Sequence, residues 1–239
     1  MISLVEVSKK FGEKRILDQV TYTFKRGEIT SIVAPNGTGK TTTLSIISGL
    51  LLPDVGEVIY SNKNGYRGVN IVLSGERNLY VKNTVRENLV YFGIIRGMKK
   101  KQIEEKICEY LSYFPALKNM ENVMVEKLSY GQKRLISIFS AVISDADCLL
   151  LDEATEGLDM EYTEMMRNIL ANISRDRVVV LASHDYSFIA DISKNIVFFK
   201  EGKLTEVGCG GELEELKKKY IMIYGVGERK DGKGDILGN

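Results

Sequence analysis

The chain has 239 residues, with 33 Lys and Arg against 32 Asp and Glu, a formal net charge of +1, three Cys and one His. This near-zero charge argues against a strongly basic nucleic-acid-binding protein. The widely spaced cysteines, Cys108, Cys148 and Cys209, argue against a disulfide framework or a cysteine-rich zinc site. A single histidine excludes a metal site built from several histidines, and it leaves open whether His184 is structural or catalytic.

Targeting and membrane signals are missing from the sequence pattern. The N-terminal stretch lacks the basic and apolar regions of a signal peptide. No apolar run approaches the roughly 18 residues needed to span a bilayer. We therefore expect a cytoplasmic protein, and a membrane component of its function has to come from another chain.

The first part of the chain shows strand patterns with one short helix among them. Alternating or β-branched apolar stretches predict strands, at residues 2–7, 16–24, 29–33, 57–60 and 69–73. A helix is predicted at 40–49, because its apolar residues are followed by a terminating glycine.

The remaining chain alternates between helix and strand. From about residue 85 to 144 the pattern is helical, with an interruption at Pro115, and Thr84 with Glu87 fits a capping box at its start. Strands and helices then alternate, at residues 147–151, 160–173, 177–182, 186–192 and 195–200. This alternation predicts an α/β fold with a largely parallel sheet. Residues 221–239, whose end is rich in glycine and charge, are expected to form a short flexible tail.

A glycine-containing loop lies between the predicted strand 29–33 and the helix that follows it. Residues 34–42 read APNGTGKTT and match the pattern G-x-x-x-x-G-K-[ST], with Ala34 where the first glycine belongs. Glycines let consecutive backbone N–H groups curl around phosphate oxygens, and the helix N-terminus adds positive charge. We predict a nucleotide-phosphate site at Ala34, Pro35, Asn36, Gly37, Thr38, Gly39, Lys40, Thr41 and Thr42. Lys40 would reach the β- and γ-phosphates, and Thr41 would bind Mg²⁺; the alternative is a turn that only caps the helix.

Two acidic residues follow an apolar strand pattern. Asp152 and Glu153 come directly after the apolar residues 149–151, and ligands of open α/β sheets bind at the carboxyl ends of strands. Asp152 is predicted to hold Mg²⁺, and Glu153 to orient or deprotonate the attacking water. The alternative is that both are ordinary strand-end residues.

Four further segments occur in the order of a known family. Residues 128–134, LSYGQKR, resemble the LSGGQ signature of ATP-binding-cassette (ABC) ATPases. The acidic pair 152–153 is similar to the end of the Walker B strand, residues 154–159 to the D-loop, and residues 183–185 to the H-loop switch. The resemblance implies a P-loop NTPase-like core with a mainly parallel central sheet, N-terminal antiparallel β strands and a helical subdomain insertion. It implies one ABC ATPase domain at 1–220, with the helical subdomain at about 84–145.

The resemblance also implies roles for single residues. Phe11 would stack on adenine, with a core phenylalanine as the alternative, and the catalytic residues would be Glu153, His184 and Lys40. His184 would hydrogen-bond the γ-phosphate, and Asp159 would lie at a dimer interface. Signature residues would bind ATP held by the opposite subunit, namely Ser129, Gly131 and Gln132. Ser129 precedes an apolar helical run, so its hydroxyl and nearby N–H groups suit an anion.

Two positions depart from the family pattern. Tyr130 stands within the usual glycine pair of the signature, so its side chain has to point away from the nucleotide. Gly75 stands where the family has a glutamine that helps to bind Mg²⁺, and Glu76 is a candidate substitute. The loop around Gly75 resembles loops of some multidrug or antibiotic exporters, which favours export. Contact with a membrane partner is expected at Glu76, Leu79 and Tyr80.

These features favour an ATP-binding and ATP-hydrolysing subunit of an ABC transporter, with ATP and Mg²⁺ as its cofactors. Two copies, or one copy and a paralogous ATPase subunit, would sandwich ATP head to tail. A separate transmembrane permease subunit would be the other partner, with no nucleic acid involved, and the chain would be peripheral on the cytoplasmic face of the membrane. The alternatives are a non-transport ABC ATPase acting on ribosomes or DNA, and a degenerate regulatory ATP binder.

Overall fold

The computed structural model describes residues 1–61, 68–75, 79–113, 115–208 and 212–225. A three-stranded antiparallel sheet contains β1 (Ile2–Phe11), β2 (Lys14–Phe24) and β4 (Val55–Tyr60), in the order β2-β1-β4. None of the described helices is both long and apolar enough to cross a membrane.

The central sheet has six strands. They are β3 (Glu28–Val33), β5 (Val69–Val72), β6 (Cys148–Asp152), β7 (Val178–Ala182), β8 (Asn195–Lys200) and β9 (Lys203–Gly208). Their order is β5-β6-β7-β3-β8-β9, and all neighbours run parallel except β8 and β9. Every residue of β6 and β7 is buried, because a parallel sheet covered on both faces needs apolar residues at successive positions. The expected α/β fold with its mainly parallel sheet and N-terminal antiparallel strands is confirmed.

Helices cover both faces of the central sheet. They are α1 (Lys40–Ser48), α2 (Val85–Ile95), α3 (Lys100–Tyr113), α4 (Pro115–Met120), α5 (Tyr130–Ile143), α6 (Met160–Ile173), α7 (Tyr186–Ile192) and α8 (Leu213–Tyr224), with a 3₁₀ turn at Val125–Lys127. The capping box of Thr84 and Glu87 is present at the start of α2. On one face, apolar residues of α2, α3 and α5 share a core with β6 and β7. On the other face, α1 and β2 pack against the same strands.

The parallel register brings three strand ends to one edge of the sheet. Ala182 of β7 is the register partner of Ile32 in β3 and of Asp152 in β6. The segments that follow these strands, including the glycine-containing loop, Glu153 and His184, therefore emerge side by side.

Two features differ from the sequence expectation. β1 continues to Phe11, beyond the predicted end at residue 7, because register shifts after Leu4 interrupt the alternation of inward and outward side chains. Neither β9 nor α8 is predicted from the sequence. α8 reaches Tyr224, so residues 221–224 of the expected tail are helical, and residues 226–239 lie outside the described part of the chain.

Candidate active site

A cleft of about 460 Å³ opens at the carboxyl ends of β3, β6 and β7. Its walls are formed by Phe11, Ile16, Asn36, Gly37, Gly39, Lys40, Thr41, Thr42, Ser74, Asp152, Glu153, Glu156 and His184. All except Ile16, Ser74 and Glu156 are residues that the sequence predicts to bind ATP or to act on it. The fold therefore joins segments that are far apart in the sequence into a single concave site.

The loop before α1 requires glycine for both conformation and space. Gly37 and Gly39 have φ of 76° and 129°, which L side chains rarely adopt. A Cβ atom on Gly39 would lie 2.6 Å from the Cγ2 atom of Ile16. Ala34 is not among the described non-glycine residues with positive φ, so the missing first glycine of the motif causes no backbone strain.

Lys40 is folded back into this loop and is buried. Its Nζ atom donates hydrogen bonds to the Ala34 carbonyl at 2.7 Å, the Pro35 carbonyl at 3.3 Å and Asn36 Oδ1 at 3.5 Å. Burial lowers the pKa of Lys40, and the Glu153 carboxylate opposes that change. The ammonium thus lies at the N-terminus of α1, where backbone N–H groups and the helix dipole favour an anion. The Thr38 hydroxyl donates to the Pro35 carbonyl at 2.8 Å and closes the loop.

Thr41 and Asp152 form the neighbouring part of the cleft. The Thr41 hydroxyl donates to Asp152 Oδ2 at 2.7 Å. Burial raises the pKa of Asp152, and the hydrogen bond from Thr41 partly offsets the rise. The described residues contain no group of three or more His, Cys, Asp or Glu side chains suited to a metal ion. The two adjacent oxygen donors still fit Mg²⁺, which commonly binds one or two protein oxygens together with phosphates of the substrate.

Glu153 and His184 form a second contact in the cleft. The Nδ1 atom of His184 lies 2.8 Å from Glu153 Oε2, and the His184 backbone N–H donates to the same oxygen at 3.2 Å. Glu153 has φ of 54°, a conformation that costs energy for a residue with a side chain. Its backbone N–H donates to the Ala182 carbonyl at 2.7 Å. The carboxylate is therefore aimed at His184 by a strained backbone that the neighbouring strand end supports.

Phe11 lies at the mouth of the cleft, at the end of β1. Its side chain is 53% exposed, which excludes the alternative of a core phenylalanine. The Nζ atom of Lys9 lies 5.7 Å from the centroid of its ring. An exposed aromatic ring at this place can stack on a flat heterocycle.

The signature residues lie outside the walls of the cleft. Ser129 caps α5 by accepting from the Gln132 backbone N–H at 3.2 Å, and Gln132 Oε1 accepts from the Ser129 backbone N–H at 3.0 Å. A Cβ atom on Gly131 would lie 2.3 Å from the Gly157 carbonyl oxygen, and a Cβ atom on Gly157 would lie 2.3 Å from the Tyr130 ring. We call residues 129–132 and 154–159 together the signature surface. Tyr130 thus packs on the D-loop segment of its own chain.

The other predicted contact residues occupy three places. Asp159 caps α6, its Oδ1 atom accepting from the Tyr162 backbone N–H at 2.9 Å. Leu79 and Tyr80 line a separate groove of about 470 Å³ between α2, α5 and β5. Glu76 lies outside the described residues. Gly75 has φ of 92°, a conformation that disfavours a glutamine at that position.

Arg134 is a buried residue beside the cleft that the sequence reasoning misses. Its guanidinium donates to the backbone carbonyls of Leu73, Asp152 and Glu153. The available signal is an arginine within the apolar side of α5, directly before Leu135 and three residues before the buried Ser137.

Comparison with known proteins shows which family this chain belongs to. The family model described as ABC transporter matches residues 17–156. The chain belongs to the ABC transporter family. An uncharacterized ABC transporter ATP-binding protein of Methanocaldococcus jannaschii is 30% identical over 223 residues, covering 93% of this chain and 81% of the relative. Such a family member binds and hydrolyses ATP, so the chain is an ATP-binding and ATP-hydrolysing subunit of an ABC transporter.

Two other relatives carry more specific names. The tungstate uptake ATP-binding protein TupC of Peptoclostridium acidaminophilum is 30% identical over 209 residues, covering 86% of this chain and 97% of the relative. The Nod factor export ATP-binding protein I of Burkholderia lata is 31% identical over 234 residues, covering 94% and 76%. These relatives are named for opposite directions of transport.

A solved structure of similar fold contains a bound nucleotide. It is a dimeric ATP-binding cassette in a post-hydrolysis state, bound to ADP and phosphate, with a TM-score of 0.75 and 26% identity. The match covers 89% of this chain and 100% of that chain.

Proposed function

We propose that two copies of this chain, or one copy and a paralogous ATPase subunit, close head to tail over two ATP molecules and drive a separate transmembrane permease subunit. The observation that carries this proposal is that one chain does not bring its signature residues to its own cleft. The phosphate loop and the acidic pair share a cleft, whereas the signature residues lie outside its walls. A second subunit that presents its signature surface to the cleft completes the site, in a two-fold arrangement.

The N-terminus of α5 is suited to bind the phosphate of an ATP molecule that the second subunit holds. The first turn of α5 contains no acidic residue, so the positive end of the helix dipole is not neutralised. Ser129 Oγ accepts a hydrogen bond in the cap, which leaves its hydroxyl hydrogen available to donate. The dimeric state of the solved relative supports the same arrangement.

Within the cleft, hydrolysis is proposed to rest on positioning and charge stabilisation of the γ-phosphoryl group. The Lys40 ammonium supplies positive charge beside the phosphates, and Glu153 accepts the proton of the attacking water. His184 holds the Glu153 carboxylate through two contacts and reaches the γ-phosphate with the rest of its ring. Thr41 and Asp152 would hold Mg²⁺, which neutralises developing phosphate charge when bound.

The groove that contains Leu79 and Tyr80 is the proposed docking site for the permease. Tyr80 contacts Tyr91 through both their rings and their hydroxyl groups, at 4.7 Å and 2.9 Å. Ile95, which lines the same groove, and Ile94, its neighbour in the sequence, are more than half exposed. A contiguous exposed apolar patch next to a groove is typical of a protein contact, and an amphipathic helix of the partner fits such a groove. The proposed place of action is therefore the cytoplasmic face of the membrane.

Export is the proposed direction of transport, because the loop sequence that follows Leu73 resembles loops of some multidrug or antibiotic exporters. The named relatives act in both directions. Substrate accumulation in inside-out vesicles that contain the complex is the expected result, and accumulation only in right-side-out vesicles contradicts export.

The substitution Glu153→Gln tests the proposed function. Because it removes the base but keeps the shape, we expect turnover to fall by at least about 100-fold while ATP remains bound. Light scattering should then show an ATP-dependent dimer that is absent without ATP. Glu109→Gln, which makes the same change on the exposed side of α3, is the matched control. Hydrolysis by Glu153→Gln at the wild-type rate contradicts the assignment of the base.

A further inference from the structure

A buried arginine in α5 contacts two other segments of the molecule, the acidic pair and the start of the loop after β5. Arg134 lies in α5, five residues after Ser129, and is 2% exposed. Its Nη1 atom donates to the Leu73 carbonyl at 2.6 Å. Its Nη2 atom donates to the carbonyls of Asp152 and Glu153, the latter at 3.0 Å. One guanidinium thus connects the signature helix, the acidic pair and the start of the loop after β5.

The three acceptors are backbone atoms at the ends of neighbouring strands. β5 ends at Val72, immediately before Leu73, and β6 ends at Asp152. Beyond these ends the regular ladder between β5 and β6 stops. The planar guanidinium carries five donors in a fixed fork, so it can span both chain segments where the ladder no longer joins them.

The contact to Glu153 bears on a residue under strain. Glu153 has φ of 54°, and its backbone N–H is fixed by the Ala182 carbonyl at 2.7 Å. Arg134 fixes the carbonyl on the other side of the same residue. A backbone held on both sides keeps the left-handed conformation that directs the carboxylate at His184.

The cost of burying Arg134 indicates that its placement serves more than packing. Burial lowers the pKa of Arg134, and the negative charges of Glu156, Asp152 and Glu153 oppose the change. Its Nε atom is buried and has no hydrogen-bond partner in the described structure. An apolar residue avoids these costs, yet it could not hold three carbonyl groups.

We propose that Arg134 is a positioning residue that fixes the backbones of Asp152 and Glu153 relative to the loop that starts at Leu73. The inference rests on the proposed function, because that loop leads to the groove proposed for the permease. Through Arg134, a shift of the loop or of the signature helix changes the aim of the Glu153 carboxylate. Arg134 itself touches neither the nucleotide cleft nor the reacting atoms.

The substitution Arg134→Lys tests this inference, because an ammonium is a point donor that cannot span the two strand ends. We expect kcat to fall by about 10- to 100-fold, the range caused by small displacements of catalytic groups. The Kd for ATP should stay within about twofold, because Lys40 and the phosphate loop are untouched. Equilibrium binding of ATP and steady-state hydrolysis separate these two effects.

Arg177→Lys is the matched control. Arg177 is 6% exposed, and it donates to the Val142 carbonyl and to Asp145 Oδ1, both at 2.9 Å. It precedes β7, at the opposite edge of the sheet from the cleft. We expect both Arg177→Lys and Arg134→Lys to lower the unfolding midpoint, but only the control should keep kcat within about twofold.

A second readout uses the single histidine of the sequence. In an untagged chain labelled at histidine, the side-chain NMR signal belongs to His184. We expect Arg134→Lys to move this signal at constant pH and Arg177→Lys to leave it unchanged. Arg134→Gln, which removes the buried charge, replaces Arg134→Lys if the latter does not fold.

The outcomes distinguish this inference from the proposed function. A wild-type chain that binds but does not hydrolyse ATP, alone and in its membrane complex, contradicts the proposed function. If the wild-type chain is active, the inference on Arg134 is overturned by any of three results. These are a kcat of the Arg134 variant within twofold of wild type, an equal fall in the Arg177 variant, and a loss of ATP affinity that parallels the fall in kcat.

Discussion

The cleft and the signature surface both lie at the N-terminus of a helix, but the two helix ends are prepared in different ways. The N-terminus of α1 follows Gly39, which provides no side-chain cap. The Lys40 ammonium lies inside the loop before this helix. The end of α5 is closed by the capping box of Ser129 and Gln132. The first arrangement leaves backbone donors for phosphates of a bound nucleotide. The second is a preformed surface, whose shape is set before any partner arrives.

Packing supports the same distinction. The loop before α1 is fixed by the interior, since a side chain at Gly39 would collide with Ile16. The signature surface is fixed by the D-loop segment, through Gly131, Tyr130 and Gly157. Substitutions in the cleft should therefore act on the subunit that carries them. Substitutions on the signature surface should act on ATP held by the other subunit.

The substitution Gly157→Ala should have the largest effect, because it breaks the signature surface without touching the cleft. The new Cβ atom would meet the Tyr130 ring at 2.3 Å, at a residue with φ of 74°. We expect hydrolysis to fall at least tenfold and the free energy of unfolding to fall by about 2–3 kcal/mol, with ATP affinity unchanged. Urea unfolding and steady-state kinetics measure these changes.

The double variant Tyr130→Gly with Gly157→Ala is the control for that collision. Without the ring only the backbone strain remains, so the double variant should be more stable than Gly157→Ala alone. A double variant that is less stable than the single one by the full cost of Tyr130→Gly contradicts the packing of Tyr130 on Gly157.

The substitution Phe11→Ala tests the contribution of the cleft to ATP affinity. Because a stacked ring contributes about 0.5–1.5 kcal/mol, the Kd for ATP should rise by about 2- to 10-fold. Tyr80→Ala, which removes a ring 49% exposed outside the cleft, should leave ATP affinity unchanged. Equal Kd values for Phe11→Ala and wild type, measured by calorimetry, would show that the ring does not stack on the base.

The smallest change in stability is expected for Asp152→Asn, measured in the chain without nucleotide. Burial raises the pKa of Asp152 in the folded state, so the folded chain binds this proton more strongly than the unfolded chain. The contribution of Asp152 to stability therefore falls as the pH rises through that window, above about 3.9. Removing the carboxylate should therefore raise Tm at pH 7, although we expect the same change to abolish hydrolysis, because Asp152 is a proposed Mg²⁺ ligand.

The substitution Asp147→Asn, just before the other end of β6, should change Tm in the opposite direction. Asp147 is also buried, but its Oδ1 atom accepts from the Arg26 guanidinium at 2.6 Å. Removing its charge leaves Arg26 without that partner, so Tm should fall. A fall in Tm for Asp152→Asn at pH 7 would contradict the account of a buried carboxylate whose pKa is raised by burial.

The phosphate loop and the acidic pair of the cleft can be predicted from the sequence because their signals are local. The glycine-containing loop lies between a strand and a helix pattern, and Asp152 follows an apolar strand. β9 and α8 are missed, since β9 is a largely exposed edge strand and α8 depends on packing against the sheet. The Tyr224 hydroxyl, for example, donates to the carbonyls of Val33 and Phe199.

Other parts of the site depend on contacts between distant segments. Arg134 reaches carbonyl groups 61 and 18 residues away in the sequence. The positive φ of Glu153 is invisible in the sequence, because glutamate gives no signal for a left-handed backbone. Tyr130 looks like a departure from a glycine motif, and only the fold shows that its ring packs on Gly157.

The most direct test of a site shared between two subunits is to mix two inactive variants. Lys40→Ala disables the cleft of its own subunit. Ser129→Asp keeps a good helix cap but places negative charge against the phosphate of the opposite subunit, and Ser129→Asn is its neutral control. In a mixed dimer one cleft with Lys40 faces one intact Ser129. Random pairing of equal amounts should therefore restore about a quarter of the wild-type rate, whereas a mixture that stays as inactive as its components contradicts a site completed by the second subunit.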